Sequence, residues 1–267
     1  MELMKLAEKE GILRAGLASL PSLVVAYSGG VDSAYLLHVA HEVLGERVHG
    51  ILADSPSLPR HEHDAAIALA SARGWPLKVI VTRELDNPLY VANPLNRCYY
   101  CKQELFDRLD AYAQEHHVAR LAYGENADDA GEFRPGQMAA NELCVLAPLR
   151  DAGLTKAEIR ELSRRAGLPT ADKAAQPCLS SRLPTGHSVT IEALAQIEAG
   201  EKLLRESGFR IYRLRHLGET ARVQVAPEEL PRLSDDTLRQ SLAAELNALG
   251  FAQVEFDPEG YRGASLR

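Results

Sequence analysis

The chain has 267 residues, enough for one large domain or two small ones, and its 46% hydrophobic and 25% charged residues are those of an ordinary globular protein. A net charge of −7 argues against a general electrostatic grip on nucleic acid, though not against a local basic site. The start, Met1-Glu2-Leu3-Met4-Lys5, lacks the apolar core of a signal peptide, no stretch is apolar enough to span a membrane, and four cysteines make no disulfide framework, so a cytoplasmic protein with reduced thiols is expected.

In chain order, residues 1–20 read as a helix and Leu23–Tyr27 as the first strand. The apolar run then breaks into Ser28-Gly29-Gly30-Val31-Asp32-Ser33. Over 34–44, Leu36, Leu37, Val39, Ala40, Val43 and Leu44 recur at helical spacing. A second strand is expected over 48–53, ending at Asp54-Ser55, a helix over Arg60–Arg73 and a third strand over 77–82. Residues 101–116 read as a helix and 118–123 as a strand leading into Gly124-Glu125-Asn126-Ala127-Asp128-Asp129. A short strand over 145–149 and a helix over 155–166 follow, the helix opened by a Thr N-cap with Glu158 three residues on. Strands alternating with helices imply an α/β fold with a doubly wound, mostly parallel sheet. Right-handed crossovers would bring the loops after Tyr27, at Asp54 and at 124–129 to one edge of it.

The pattern changes after Leu168-Pro169. Residues 170–187 are rich in Pro, Ser, Gly and Ala and read as an ordered connecting loop that holds Cys178. A helix over 190–207, strands over 209–217 and 221–226, helical segments over 227–233 and 235–249 and a last strand over 252–257 make a small α+β unit. The expected domains are 1–183 and 184–267.

Strand, glycine turn and helix in succession make a phosphate cradle. Glycine admits positive φ and close approach of an anion, and the helix start offers unpaired N–H groups and a positive dipole end. The Gly-Lys-Ser/Thr ending of the Walker type is missing. The plainer reading of the glycines is an ordinary βα turn.

Cys98-Tyr99-Tyr100-Cys101 fits a dithiol pair, half of a zinc site or part of an iron–sulfur site. No second Cys-x-x-Cys is present, which disfavours a zinc ribbon. Cys178 sits in Gln176-Pro177-Cys178-Leu179-Ser180-Ser181-Arg182, where Pro177 opposes helix and Arg182 supplies a cation that favours thiolate. Cys144, in Leu143-Cys144-Val145-Leu146, reads as a core residue of a strand. Cys98, Cys101 and Cys178, read as three loop thiols, could hold a four-iron cluster with one iron open; the alternative is that Cys98 and Cys101 are bystanders.

Arg213 and Arg215 alternate along a strand and share a face, with Arg222 beyond the Gly218 turn, as suits a bound phosphate or carboxylate. The alternative is a solvated strand face. Asp128 and Asp129 could bind Mg²⁺ beside a nucleotide or only cap the next turn.

Ser-Gly-Gly-x-Asp-Ser resembles the PP-loop of ATP pyrophosphatases, enzymes that cleave ATP between the α and β phosphates and adenylylate a substrate oxygen. With Asn96-Arg97-Cys98-Tyr99-Tyr100-Cys101-Lys102, the 124–129 stretch, Arg134-Pro135-Gly136, Cys178-Leu179-Ser180-Ser181-Arg182, Arg213-Leu214-Arg215 and Gly260-Tyr261-Arg262, nearly the whole chain resembles the LarE family, sulfur transferases of nickel-pincer nucleotide biosynthesis. The resemblance implies a PP-loop (adenine nucleotide α-hydrolase-like) fold and, as substrate, pyridinium-3,5-biscarboxylic acid mononucleotide, whose carboxylates become thiocarboxylates. It implies ATP held by Ser28, Gly29, Gly30, Val31, Asp32, Ser33, Asp54, Gly124 and Asp128, with Mg²⁺ at Asp128 and Asp129. Asp32, Cys178, Ser180 and Arg182 would be catalytic, and Arg213 and Arg215 would hold the substrate phosphate.

Family members either sacrifice the matching cysteine, leaving dehydroalanine, or hold a [4Fe-4S] cluster that carries the sulfide; with Cys98 and Cys101 present, the chain resembles the cluster-using kind. The expected partners are the small nucleotide, further copies of the chain and the next enzymes of that pathway, with no nucleic acid or membrane. An amide-forming PP-loop ligase, a tRNA thiolase and a non-catalytic nucleotide-binding module are the competing readings. The first has no use for Cys178, the second sits poorly with the charge, and the third would bind ATP without releasing pyrophosphate.

Overall fold

A computed structural model of the protein describes residues 2–129, 135–174 and 176–261, so Arg134 and Arg262 lie outside the described residues. The chain divides into two compact units, one of residues 1–87 and 96–176, the other of 88–95 and 177–267. The Cys178–Arg182 turn therefore belongs to the second unit, together with the short segment 88–95.

The first unit begins with α1 (Glu2–Ala18) and β1 (Leu23–Tyr27). Helix α2 (Val31–Leu44) starts directly after the glycine turn, and β2 (Val48–Asp54), α3 (Arg60–Arg73) and β3 (Leu77–Val81) follow. After α4 (Pro88–Val91), which belongs to the second unit, come α5 (Arg97–Glu115), β4 (Arg120–Tyr123), α6 (Pro135–Glu142), α7 (Pro148–Asp151) and α8 (Lys156–Arg165). The four strands are all parallel, in the order β3-β2-β1-β4.

Strand β1 shows why its sequence is an unbroken apolar run. Leu23, Val25 and Tyr27 enter one apolar cluster with residues of α1, α2 and α8, whereas Val24 and Ala26 enter another with Phe106 and Leu109 of α5 and Ala139 and Ala140 of α6. Both faces of the strand are covered, so neither set of alternating positions tolerates a polar residue. Parallel pairing puts the ends of β1, β2 and β4 on one edge of the sheet, where the glycine turn, Asp54 and Gly124 follow.

Three expectations are corrected here. The strand expected over 145–149 is reduced to one parallel bridge, Ala122 to Leu146, because Pro148 opens α7, where a missing N–H costs nothing. Cys144 is exposed, with φ of 52°, in the turn after α6; Val145 takes the buried place instead. Cys98 and Cys101 are not loop residues: α5 starts at Arg97, so they lie one turn apart on one side of a helix.

In the second unit, α9 (Ile191–Glu206), β5 (Tyr212–Leu217), β6 (Thr220–Val225), α10 (Asp236–Ala248) and β7 (Gln253–Phe256) surround a core that includes Leu204, Phe209, Leu214, Val223, Leu242 and Leu246. The sheet is mixed: β5 pairs antiparallel and β7 parallel with β6. Residues 227–234 form a 3-10 helix. The segment 88–95 is tied in by Val189 N–H to Val91 O (2.9 Å), Gly186 N–H to Asn93 O (2.9 Å) and Asn93 Nδ2 to Pro184 O (2.8 Å).

Candidate active site

In the first unit the site grows from the glycine turn. Gly29 has φ of 71°, and a Cβ there would lie 2.7 Å from Ala66 Cβ, so only glycine suits the position. Gly30 starts α2 without any side-chain cap, and the first hydrogen bond of the helix is Ala34 N–H to Gly30 O (2.9 Å). The first-turn N–H groups at Val31, Asp32 and Ser33 thus precede the helical ladder, with the positive dipole end behind them. Ser33 Oγ accepts from Ser28 N–H (3.1 Å), lies 3.0 Å from Ser28 Oγ and donates to Gly30 O (3.2 Å), which folds the turn around its own hydroxyl.

Gly124, at the end of β4, is pressed against this turn; a Cβ there would lie 2.7 Å from Ser33 N. Asp32 faces Lys156, at the start of α8, and the two form an ion pair. Its other oxygen, Oδ1, is buried and has no hydrogen-bond partner among the described residues. Burial raises the Asp32 carboxyl above the ordinary aspartate value; Lys156 works against that, and the nearby Asp129 adds to it. A buried acceptor without a donor, next to a second carboxylate, is a fitting place for a cation or its hydration water.

Asp128 and Asp129 also do the capping that was the plainer reading. Asp128 Oδ2 accepts from Lys156 N–H (2.8 Å), and Asp129 Oδ2 from Asn126 N–H (3.1 Å). Asp54 pairs with Arg60 (2.6 Å), which also binds Ser55 O (2.7 Å), so the loop after β2 is closed on itself. Beside it, buried Glu84 accepts from Ser55 Oγ and Ser57 Oγ.

In the second unit Cys178 precedes a 3-10 turn, Leu179–Arg182, and is half-buried. Its carbonyl accepts from Ser181 N–H (3.0 Å), Ser181 Oγ (2.7 Å) and Arg182 Nη1 (2.9 Å). Arg182 is 1% exposed and forms two parallel bonds with the buried Glu201 carboxylate, both 2.8 Å. Its charge is therefore balanced, and its work is to clamp the turn rather than to act as an open cation beside the thiol. Ser180, also fully buried, is bonded to Tyr90 Oη (2.7 Å) and likewise holds the turn.

Arg213 and Arg215 share a face of β5, opposite Gln224 and Arg222 of β6. Arg215 binds Gln224 Oε1 (3.0 Å) and Ser181 O (2.8 Å), and Arg222 pairs with Glu255 (2.9 Å). Arg213 is buried over the Tyr261 ring at 4.7 Å. Burial, and then the charge of Arg182, pulls its guanidinium below the ordinary arginine value. An anion would relieve both effects.

The three thiols expected to hold a cluster belong to different units, Cys98 and Cys101 to the first and Cys178 to the second. None of the four cysteines forms a disulfide. Among the described residues no group of three or more His, Cys, Asp and Glu side chains is gathered for a metal ion.

No family model matches the chain. The chain is 32% identical over 263 residues to a pyridinium-3,5-bisthiocarboxylic acid mononucleotide synthase of Lactiplantibacillus plantarum, covering 98% of this chain and 94% of that protein. The chain belongs to the LarE family. It is also 39% identical over 254 residues, 95% of each chain, to an uncharacterized protein of Synechocystis. An uncharacterized protein of Methanocaldococcus jannaschii is 26% identical over 240 residues, 90% of each chain.

Sequence reasoning missed several residues that the structure brings to the candidate site. Lys156 stands next to the Thr155 cap and looks like a solvated helix residue, yet its partner Asp32 is 124 positions away. Lys173 and Glu62 form an ion pair beside the glycine turn, and Glu201 holds Arg182. Only the spatial meeting of distant segments distinguishes these from surface charges. Among the described residues no helix is long and apolar enough to cross a membrane.

Proposed function

We propose that this LarE-family chain is an ATP-dependent sulfur transferase that adenylylates the carboxylates of pyridinium-3,5-biscarboxylic acid mononucleotide and converts them to thiocarboxylates. The observation that carries the nucleotide half is the uncapped start of α2 behind the Gly29 turn, with the orphaned Asp32 Oδ1 beside it. The product is the one in the name of the relative of Lactiplantibacillus plantarum, a pyridinium-3,5-bisthiocarboxylic acid mononucleotide synthase, and the dicarboxylate is the matching precursor.

A carboxylate is a poor acyl donor, because its leaving group would be oxide. Attack of a carboxylate oxygen on the α phosphate of ATP forms an acyl-adenylate and breaks the bond to pyrophosphate. The N–H groups of Val31, Asp32 and Ser33 and the Lys156 ammonium stabilise the departing charge. Asp32, with Asp128 and Asp129 close by, would hold a Mg²⁺ ion, which would supply further neutralisation of the phosphates. Arg213 and Arg215 hold the substrate's own phosphate, and Arg182 and Ser180 keep the Cys178 turn in position.

The Cys178 thiolate then attacks the activated carbonyl and expels AMP, leaving a thioester. Loss of the Cys178 Cα proton breaks its Cβ–Sγ bond, releases the thiocarboxylate and leaves dehydroalanine. The second reading draws the sulfur from an iron–sulfur cluster, and the placement of Cys98 and Cys101 on one side of α5 favours it.

Incubation with ATP, Mg²⁺ and the substrate should yield AMP and pyrophosphate. Asp32→Ala and Ser33→Ala should cut that yield about a hundredfold or more with the far-UV circular dichroism unchanged. Formation of ADP and phosphate would overturn the reading.

The sulfur source is decided by mass spectrometry after turnover. A chain lighter by one hydrogen sulfide at Cys178, spent after one event, is the expected result. Repeated turnover with Cys178 intact, in protein reconstituted anaerobically with iron and sulfide, would establish the cluster instead. Its chromophore would then be lost in Cys98→Ala, Cys101→Ala and Cys178→Ala and kept in Cys144→Ala.

A further inference from the structure

The segment that follows α8 runs back past the glycine turn and is fastened there. Arg160 donates to Ala171 O (2.6 Å) and Lys173 O (2.9 Å), and Arg164 pairs with Asp172 (2.9 Å). These bonds deliver Lys173 to the turn: its Nζ donates to Gly29 O (3.1 Å) and forms an ion pair with Glu62, in the first turn of α3. Gly29 is the left-handed residue of the turn, so the ammonium stands beside the open N-terminus of α2. It is joined there by the Glu62 carboxylate.

We propose that Lys173 is a phosphate-contacting cation of the nucleotide site and that Glu62 is its resting counter-ion, released when ATP binds. The inference rests on the ATP reading of the preceding section. The ion pair is not sealed from solvent, its side chains being 23% and 12% exposed. A triphosphate brings several negative charges and many acceptor oxygens to the same ammonium, so it displaces a single carboxylate readily. Lysine suits such an exchange, being a point charge on a flexible stem with three donors. On release, Glu62 keeps a neighbour in His61 Nε2, at 3.5 Å.

The opposite account is structural: Glu62 and Lys173 staple the turn, and ATP meets neither. The two accounts differ in the sign of one substitution. If Glu62 competes with phosphate, Glu62→Gln tightens binding of the α,β-methylene analogue of ATP, by about three- to tenfold in calorimetric titration. Lys173→Gln weakens it about tenfold or more, as loss of a charge-assisted contact does, and Lys173→Arg restores part of the loss. In Lys173→Gln the Glu62→Gln change should have no further effect, because Glu62 acts through Lys173. Melting temperatures of all variants are read in the absence of nucleotide.

If Glu62→Gln weakens binding and lowers the melting temperature together with Lys173→Gln, the pair is a staple and the proposal is overturned. Should wild-type protein bind no ATP analogue, the functional reading fails and takes the role of Lys173 with it. That failure is seen before any variant is made.

Discussion

Asp32 carries a cost in the folded protein. Its buried Oδ1 has no donor among the described residues, and burial raises its carboxyl above the ordinary value despite the Lys156 partner. A carboxyl whose folded-state pKa lies above its unfolded value of about 3.9 favours folding in its protonated form. That contribution is present below the unfolded value and is lost as pH rises through the folded one. In metal-free buffer without nucleotide, Asp32→Asn should therefore melt higher than wild type at pH 7.5 and gain little at pH 4, while its pyrophosphate release is lost. A variant less stable than wild type at pH 7.5 and equal to it at pH 4 would show that the Lys156 pair outweighs burial. At this scale the glycines and Asp32 were legible, because a six-residue string between strand and helix carries its own chemistry. Lys156 and Lys173 were not, because a lysine acquires a role here only from a carboxylate far away in sequence.

At the scale of elements, two helix starts in the same unit are finished differently. Helix α8 has a complete capping box, with Thr155 and Glu158 each bonded to the other's backbone N–H. Helix α2 follows Gly30 with no side-chain cap on its first turn, the kind of helix start that suits an anion. Both starts could be read from sequence, since caps and glycine turns are local signals. The Cys98–Cys101 turn of α5 and the false strand over 145–149 could not, because there tertiary packing and Pro148 decide between equally plausible local states.

The 3-10 turn after Cys178 depends on the Arg182–Glu201 pair, buried at both ends. Glu201→Gln leaves a buried guanidinium uncompensated and should cost about 3–5 kcal/mol of stability in urea unfolding. Replacing both partners, with Arg182→Met and Glu201→Leu, should recover part of that loss. A single substitution that costs no more than the double one would show that the ion pair is not what holds the turn.

For the molecule as a whole, alternation of strand and helix was enough to read the parallel sheet, and the loss of that rhythm after Pro169 marked a second kind of structure. The apolar clusters keep to their own stretches of chain: those around β1 draw on residues 6–168, and that around β5 and β6 on residues 203–256. What could not be read was the assignment of residues 88–95 to the second unit, since it depends on backbone bonds such as Val189 N–H to Val91 O, which have no compositional signature.

Inside that second unit, the turn bearing Cys178 and the strand bearing Arg213 and Arg215 are fastened to each other. Arg215 holds Ser181 O (2.8 Å), and Glu201 takes both the Arg182 guanidinium (2.8 Å) and Leu214 N–H (3.2 Å). If Cys178 and the two arginines act as proposed, thiol and anion grip form a gauge of set length. A gauge sorts its ligands by span. A nucleotide with the wrong number of bonds between its anionic tail and its reactive carbon can fill the grip and still leave that carbon beyond the sulfur. Selection of this kind needs no contact with the rest of the ligand, and it is as strict as the fastening is stiff.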